Sequence, residues 1–130
     1  MYLLDTSTLA ELLRTKPPVG LIRRLSHVPT HERWTSVVTV GQLLIAARHE
    51  GAPKLMQDVV RLVAAIRVAP FDLSAAQSFA KLRAGDGAQL DTDDVIVAAI
   101  AISRDMALVT RRREVFTAFD ELRLEDWTTA

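Results

Sequence analysis

Short apolar runs alternate along the chain with longer stretches in which apolar residues recur every three or four positions. The short runs predict β-strands at residues 2–4, 34–38, 66–69, 107–110 and 122–127. The periodic stretches predict helices at residues 8–14, 19–25, 39–49, 53–64, 74–83, 95–103 and 113–119. Because strands and helices alternate, the pattern predicts an α/β fold with a central parallel β-sheet flanked by helices on both faces. No repeat or linker interrupts it, so we expect a single domain over residues 1–130.

Local signals mark where several of these helices begin and end. Thr8 and Glu11, like Thr39 and Gln42, have the spacing of a capping box, in which a hydroxyl and a Glu or Gln side chain close the first helical turn. We therefore expect Glu11 to serve the first helix rather than a functional site. Gly51 is expected to end the third helix.

Asp5 directly follows the first predicted strand, where the backbone should turn into a helix. A carboxylate at such a position can cap the helix. It can instead point into the crevice at the carboxyl ends of the strands, where parallel sheets bind their ligands. Thr39 and Thr110 follow other predicted strands at the same edge of the sheet. The residues alone leave both roles of Asp5 open.

A second acidic group stands in the stretch LDTDDVIVAAIA, where Asp91, Asp93 and Asp94 precede an almost wholly apolar helix. One acid would be enough to cap the helix and to interact with its dipole. Three acids within four residues repel one another unless a cation lies among them. The chain has no cysteine and its three histidines lack metal-ligand spacing, so the oxygen-rich set favours Mg²⁺ or Mn²⁺. Such ions activate water for attack on a phosphodiester.

Charge is divided unevenly along the chain. Residues 1–70 carry nine Lys or Arg and five Asp or Glu, while residues 71–130 carry seven and eleven, so balances of +4 and −4 cancel. This division fits either ordinary solvated faces or an acidic site in a basic surround, which suits a polyanion held through metal ions. No apolar run is long enough to span a membrane, and no secretory signal is evident, so we expect a cytoplasmic protein.

Five short motifs follow one another in the order and spacing of PIN domains: YLLDTSTLAELLR, SVVTVGQLLIAA, DDVIVAAIA, ALVTRRREVF and LRLEDW. More narrowly, the chain resembles the VapC-type toxins of bacterial type II toxin–antitoxin systems. The resemblance implies a Mg²⁺- or Mn²⁺-dependent endoribonuclease that cuts structured RNA such as tRNA or rRNA. It also implies a homodimer that a small VapB-type antitoxin neutralises, with an amphipathic antitoxin segment in a groove beside the two N-terminal helices.

The resemblance further implies which residues form the site. Asp5 and Asp94 match the family's metal-binding aspartates, and Gln42 stands at the position of the third ligand, so these three are the implied catalytic residues. Asp91 and Asp93 lie beside the motif without matching it strictly, which leaves them as possible alternative ligands.

Two departures from the family leave the activity open. Gln42 replaces the usual Glu, and Arg112 stands where Asn or Asp is common. Gln offers a carbonyl oxygen but no charge, and the substitution is compatible with a natural degenerate site or with an engineered inactivation. Arg112 could supply part of the metal's charge, contact RNA phosphate or point to solvent. The alternative function is a catalytically weakened PIN domain that acts as an RNA- or antitoxin-binding module.

Each of the other polar groups near the predicted crevice is open to two interpretations. The arginines at 111–113 are either solvated or contact phosphate. Thr6 and Ser7 either bind a ligand or form a polar turn. A third function, phosphorylation on Asp5, is disfavoured because the stretch DTST lacks the second aspartate of phosphatases and no lysine follows a late strand.

Overall fold

The computed structural model describes residues 1–129 and places five parallel strands in one sheet, in the order β3-β2-β1-β4-β5. The strands are β1 (Tyr2–Leu4), β2 (Arg33–Ser36), β3 (Arg67–Ala69), β4 (Ala107–Val109) and β5 (Leu124–Glu125). The helices are α1 (Thr6–Leu12), α2 (Val19–His27), α3 (Val37–Glu50), α4 (Pro53–Ala64), α5 (Leu73–Ala84), α6 (Thr92–Ser103) and α7 (Arg113–Phe116), with a 3₁₀ turn at Thr30–Glu32. The predicted α/β fold is confirmed.

Successive residues of the central strands face two different cores, because side chains alternate across a sheet. Leu3 and Leu108 pack in one core with residues of α5 and α6. Leu4 and Val109 pack in the other with residues of α1, α2, α3 and α4. All four side chains are fully buried, so helices cover both faces of the sheet as the sequence predicts. Among the helices of residues 1–129, none has the length and apolar character of a membrane span.

Strand register brings the ends of three strands to one edge. Leu4 pairs with Thr35 on β2 and with Val109 on β4. Asp5, the next residue, still donates its backbone N–H to the carbonyl of Val109 at 3.1 Å. The residues that follow β1, β2 and β4 therefore leave the sheet side by side.

The strand predicted at residues 34–38 is shorter than expected. Val37 and Val38 belong to α3, since the Ser36 hydroxyl accepts the backbone N–H of Thr39 at 2.9 Å and caps the helix. A run of apolar β-branched residues favours a strand locally, and here the cap outweighs that preference. The predicted capping box of Thr39 and Gln42 is therefore wrong.

The first helix also begins earlier than predicted. Asp5 is its N-cap and accepts the backbone N–H of Thr8 at 3.0 Å. The Thr8 hydroxyl donates instead to the carbonyl of Val109 at 3.0 Å, which ties α1 to β4. Glu11 pairs with arginines, so the predicted capping box of Thr8 and Glu11 is wrong.

The remaining differences concern the ends of elements near the C-terminus. The helix predicted at 95–103 begins at Thr92, and the one predicted at 113–119 ends at Phe116. The last predicted strand, 122–127, shrinks to Leu124–Glu125. Phe119 and Leu122 are buried in the core from the intervening turn, so burial rather than strand pairing accounts for their apolar character.

Candidate functional site

Asp5 is buried at the carboxyl end of the central strand, with 3% of its surface exposed. One carboxylate oxygen, Oδ1, accepts the Thr8 N–H at 3.0 Å and the Ser7 hydroxyl at 2.7 Å. The other, Oδ2, is buried without a hydrogen-bond donor from any part of the chain that the structure describes. A buried oxygen without a donor is costly, which makes Oδ2 a candidate ligand. Asp5 thus caps the helix with one oxygen while the second remains free.

A polar chain connects Asp5 with the loop after β4. The Ser7 hydroxyl lies 3.4 Å from the Thr110 hydroxyl and accepts the backbone N–H of Arg111 at 3.0 Å. The Thr110 hydroxyl in turn accepts the backbone N–H of Arg112 at 3.0 Å. Ser7 and Thr110 therefore position the loop against the first strand, which gives both hydroxyls structural partners.

Asp94 lies at the start of α6, with its side chain 13% exposed, and accepts a hydrogen bond from the Arg112 guanidinium at 2.7 Å. This bond raises the pKa of Arg112 above its ordinary value, and the negative charges of Asp94, Asp5 and Glu114 act in the same direction against burial. Arg112 therefore lies within the field of both Asp5 and Asp94. Contacts through Ser7, Thr110 and Arg112 connect Asp5 to Asp94 at this edge of the sheet.

Gln42 is half-buried on α3 and uses both ends of its amide. Its oxygen accepts a hydrogen bond from the Thr6 hydroxyl. Its nitrogen donates to the carboxylate of exposed Asp93 at 3.0 Å. Asp91 occupies the N-cap position of α6, but its side chain makes no capping bond. Gln42 thus joins α1, α3 and α6 at the same edge as Asp5.

Glu11 is a buried carboxylate whose arginine partners the sequence interpretation did not predict, since it assigned Glu11 to a helix cap. It pairs with Arg14 at 2.8 Å and with Arg111 from the loop after β4. The hydrogen bond from Arg14 lowers the pKa of Glu11 below its ordinary value, and the charge of Arg111 adds to this against burial. The spacing of Glu11 and Arg14, three residues apart on a helix, was a usable signal.

The donor atoms at this edge fit a hard divalent cation. The unpartnered Oδ2 of Asp5 and the carboxylate of Asp94 are the charged candidates, and the Gln42 amide oxygen is a neutral one. Within residues 1–129, no group of three or more His, Cys, Asp or Glu side chains is arranged to hold a metal ion. These residues offer a divalent ion two carboxylates and one neutral oxygen, which is less negative charge than a three-acid site provides.

Comparisons with known proteins identify the family of this chain. A profile of the PIN domain matches residues 2–122. The chain is similar to the tRNA(fMet)-specific endonuclease VapC of Salmonella typhimurium, at 28% identity over 130 residues that cover 97% of each protein. It is also similar to toxin FitB of Neisseria gonorrhoeae, at 28% identity over 138 residues that cover 98% of this chain and 99% of FitB.

Solved structures of known proteins also share the fold of this chain. The fold is similar to that in DNA-bound VapBC from Salmonella typhimurium, with a TM-score of 0.85, 28% identity and 97% of each chain covered. FitAcB from Neisseria gonorrhoeae gives a TM-score of 0.85 at 23% identity, with 97% of each chain covered, which is a likeness of fold. Because the family profile spans most of its length, this chain belongs to the PIN-domain family.

Proposed function

We propose that this protein is the ribonuclease toxin of a VapBC-type toxin–antitoxin module and hydrolyses RNA phosphodiester bonds. Membership of the PIN family and similarity to a tRNA endonuclease over nearly the whole chain support this proposal. The observation that carries it is the unpartnered, buried Oδ2 of Asp5, a residue that contacts through Ser7, Thr110 and Arg112 connect to Asp94. We further propose that residues 1–130 form one domain and that the protein acts as a homodimer in the cytoplasm.

PIN-domain nucleases generally use divalent metal ions, and we propose Mg²⁺ or Mn²⁺ for this chain. Asp5 and Asp94 would hold the ion, and Gln42 would offer its amide oxygen. When bound, such an ion activates water and stabilises the charge on the phosphate. Because water is the nucleophile in such a site, the protein need not supply one. This agrees with the lack of a Ser- or Cys-based catalytic arrangement in the sequence.

The chain's own residues would orient this chemistry. Thr8 and Ser7 hold Oδ1 of Asp5, so its other oxygen keeps a fixed direction. The loop after β4 carries Arg111 and Arg112, which contact Glu11 and Asp94. Arginine binds phosphate with two parallel hydrogen bonds, so these side chains are suited to hold the RNA backbone near Asp94.

A groove between α1 and α4 suits the antitoxin. A cavity of about 710 Å³ lies between α1 and α4, and its apolar walls include Leu12, Leu13, Leu55 and Leu62. Leu9 and Leu21 are fully buried, so they belong to the core. An amphipathic antitoxin segment would place its apolar side chains in this groove. The similar solved structures include toxin–antitoxin complexes, which supports this assignment.

The alternative, a weakened PIN domain that binds RNA or antitoxin without cutting, is favoured by one specific observation. The amide nitrogen of Gln42 donates a hydrogen bond to the Asp93 carboxylate, and Arg112 donates one to the Asp94 carboxylate. The guanidinium neutralises Asp94, and the neutral amide donates a hydrogen bond to Asp93, so both contacts compete with a divalent ion. The two functions differ in their response to metal.

Cleavage of labelled tRNA and rRNA by the full chain tests the proposal. We expect cleavage that requires Mg²⁺ or Mn²⁺, that EDTA abolishes, and that is lost in Asp5→Asn and Asp94→Asn. The matched control is Asp86→Asn, which removes an exposed acid outside the cluster and should cleave normally. Absence of cleavage by the unmodified chain, and by a Gln42→Glu variant, at every metal concentration would leave the binding module as the function.

A further inference from the structure

Arg112 neutralises Asp94 by direct contact. Its guanidinium donates to the Asp94 carboxylate at 2.7 Å, and Asp94 is the less exposed partner, at 13% against 44% for Arg112. The same carboxylate is one of the two charged ligands proposed above. A guanidinium and a metal ion would therefore compete for one anionic group.

Several contacts hold Arg112 in this position. Its guanidinium lies 5.9 Å from the centre of the Phe116 ring, a distance typical of a cation–π contact. Its backbone N–H is bound by the Thr110 hydroxyl at 3.0 Å. The preceding residue, Arg111, is fixed through its backbone to Ser7 and through its side chain to buried Glu11. The loop is thus anchored on both sides of the Asp94 contact.

We propose that Arg112 is a built-in counter-ion, positioned by Glu11 and Arg111, that competes with a divalent ion for Asp94. This inference rests on the proposed function, because it requires Asp94 to be a metal ligand. Removing the competing charge frees a carboxylate that is already placed for binding. The affinity for metal should therefore increase when Arg112 is neutralised, and Arg112 sets the metal concentration at which the site fills.

Titration of the full chain with Mn²⁺ tests this inference without RNA. Binding is measured as the decrease of the free-ion signal in electron paramagnetic resonance. Arg112→Gln should bind Mn²⁺ about tenfold more tightly than the unmodified chain, since a charge-assisted hydrogen bond is lost. Arg112→Lys, which keeps the charge, should remain near the original affinity. Arg113→Gln, which removes the adjacent exposed charge, should change the affinity less than about twofold.

Glu11→Gln provides a second variant, which alters the anchoring of the loop and keeps the Arg112 side chain. It should strengthen Mn²⁺ binding less than Arg112→Gln does, because it loosens the loop and leaves the guanidinium in place. Thermal unfolding without metal verifies that each variant is folded. Equal or weaker Mn²⁺ binding by Arg112→Gln would overturn the inference while leaving the nuclease proposal intact. If no variant binds Mn²⁺, both the inference and the metal-dependent function fail.

Discussion

Gln42 donates its amide N–H to the carboxylate of Asp93 at 3.0 Å and thereby links the middle of α3 to the first turn of α6. A glutamate at the same position could not make this bond, because two carboxylates repel each other at that distance unless a proton or cation lies between them. Gln42 is therefore matched to Asp93 in the metal-free protein. The identity of residue 42 decides whether Asp93 accepts a hydrogen bond from a neutral amide or faces a second carboxylate that attracts a cation.

Gln42→Glu should strengthen Mg²⁺ or Mn²⁺ binding by about tenfold, which corresponds to about 1.4 kcal/mol. The same change should lower the metal-free unfolding free energy by about 0.5 kcal/mol, since it brings two acids together. Calorimetric titration and chemical denaturation measure the two effects. Gln77→Glu on the exposed side of α5 is the control and should alter neither. Unchanged metal binding in Gln42→Glu would remove residue 42 from the ligand set.

Asp5→Asn should separate the two roles of this side chain. Asparagine caps helices about as well as aspartate, so the metal-free stability should not fall. RNA cleavage should fall by roughly 100-fold or more, and the rise in melting temperature on adding Mn²⁺ should disappear.

The matched control is Asp72→Asn, because Asp72 caps α5 by accepting the Ala75 N–H at 3.0 Å. This variant makes the same chemical change at a helix cap outside the cluster, and it should keep both cleavage and the response to Mn²⁺. A large loss of metal-free stability in Asp5→Asn alone would instead assign Asp5 a structural role.

Glu11→Gln should change stability in a pH-dependent manner. Hydrogen bonding from Arg14 lowers the pKa of Glu11 in the folded protein below its ordinary value near 4.5. The stabilisation is therefore complete above that ordinary pKa and is lost as the pH falls through the lower, folded-state pKa. At pH 7 the variant should be less stable by about 1 kcal/mol, a modest amount because both arginine partners are exposed.

Urea denaturation between pH 7 and pH 3 measures this difference. The gap between the original chain and Glu11→Gln should narrow as the pH falls, whereas Glu121→Gln, at an exposed position, should show no gap at any pH. A gap that widens towards acid pH would mean that Glu11 is not stabilised as a carboxylate.

The order of strands and helices could be predicted because the apolar positions that give each element its periodicity are also the positions that the fold buries. The strand at Tyr2–Leu4 and the helix at Pro53–Ala64 were predicted with the bounds that the structure has. The start of α3 could not be predicted in this way. Val37 and Val38 favour a strand as isolated residues, and only the cap made by Ser36 places them in a helix.

The candidate site was predictable in part. The motifs pointed to Asp5 and Asp94, and the structure connects both to Arg112 through hydrogen-bond contacts, although their role as ligands stays a prediction. The two hypotheses for Asp5, cap or ligand, were treated as exclusive, yet a carboxylate has two oxygens that can serve both. The pairing of Glu11 with Arg111 was not predicted because the two residues lie 100 positions apart, and no local pattern reveals such a pair.

The most direct test of this account is a crystal structure of the protein soaked in Mn²⁺, with the ion located by its anomalous scattering. The account predicts one manganese ion bonded to Oδ2 of Asp5 and to an oxygen of Asp94, with the Arg112 guanidinium displaced from Asp94. Manganese bound only at other places, with Arg112 still on Asp94 and no ion on Asp5, would contradict it.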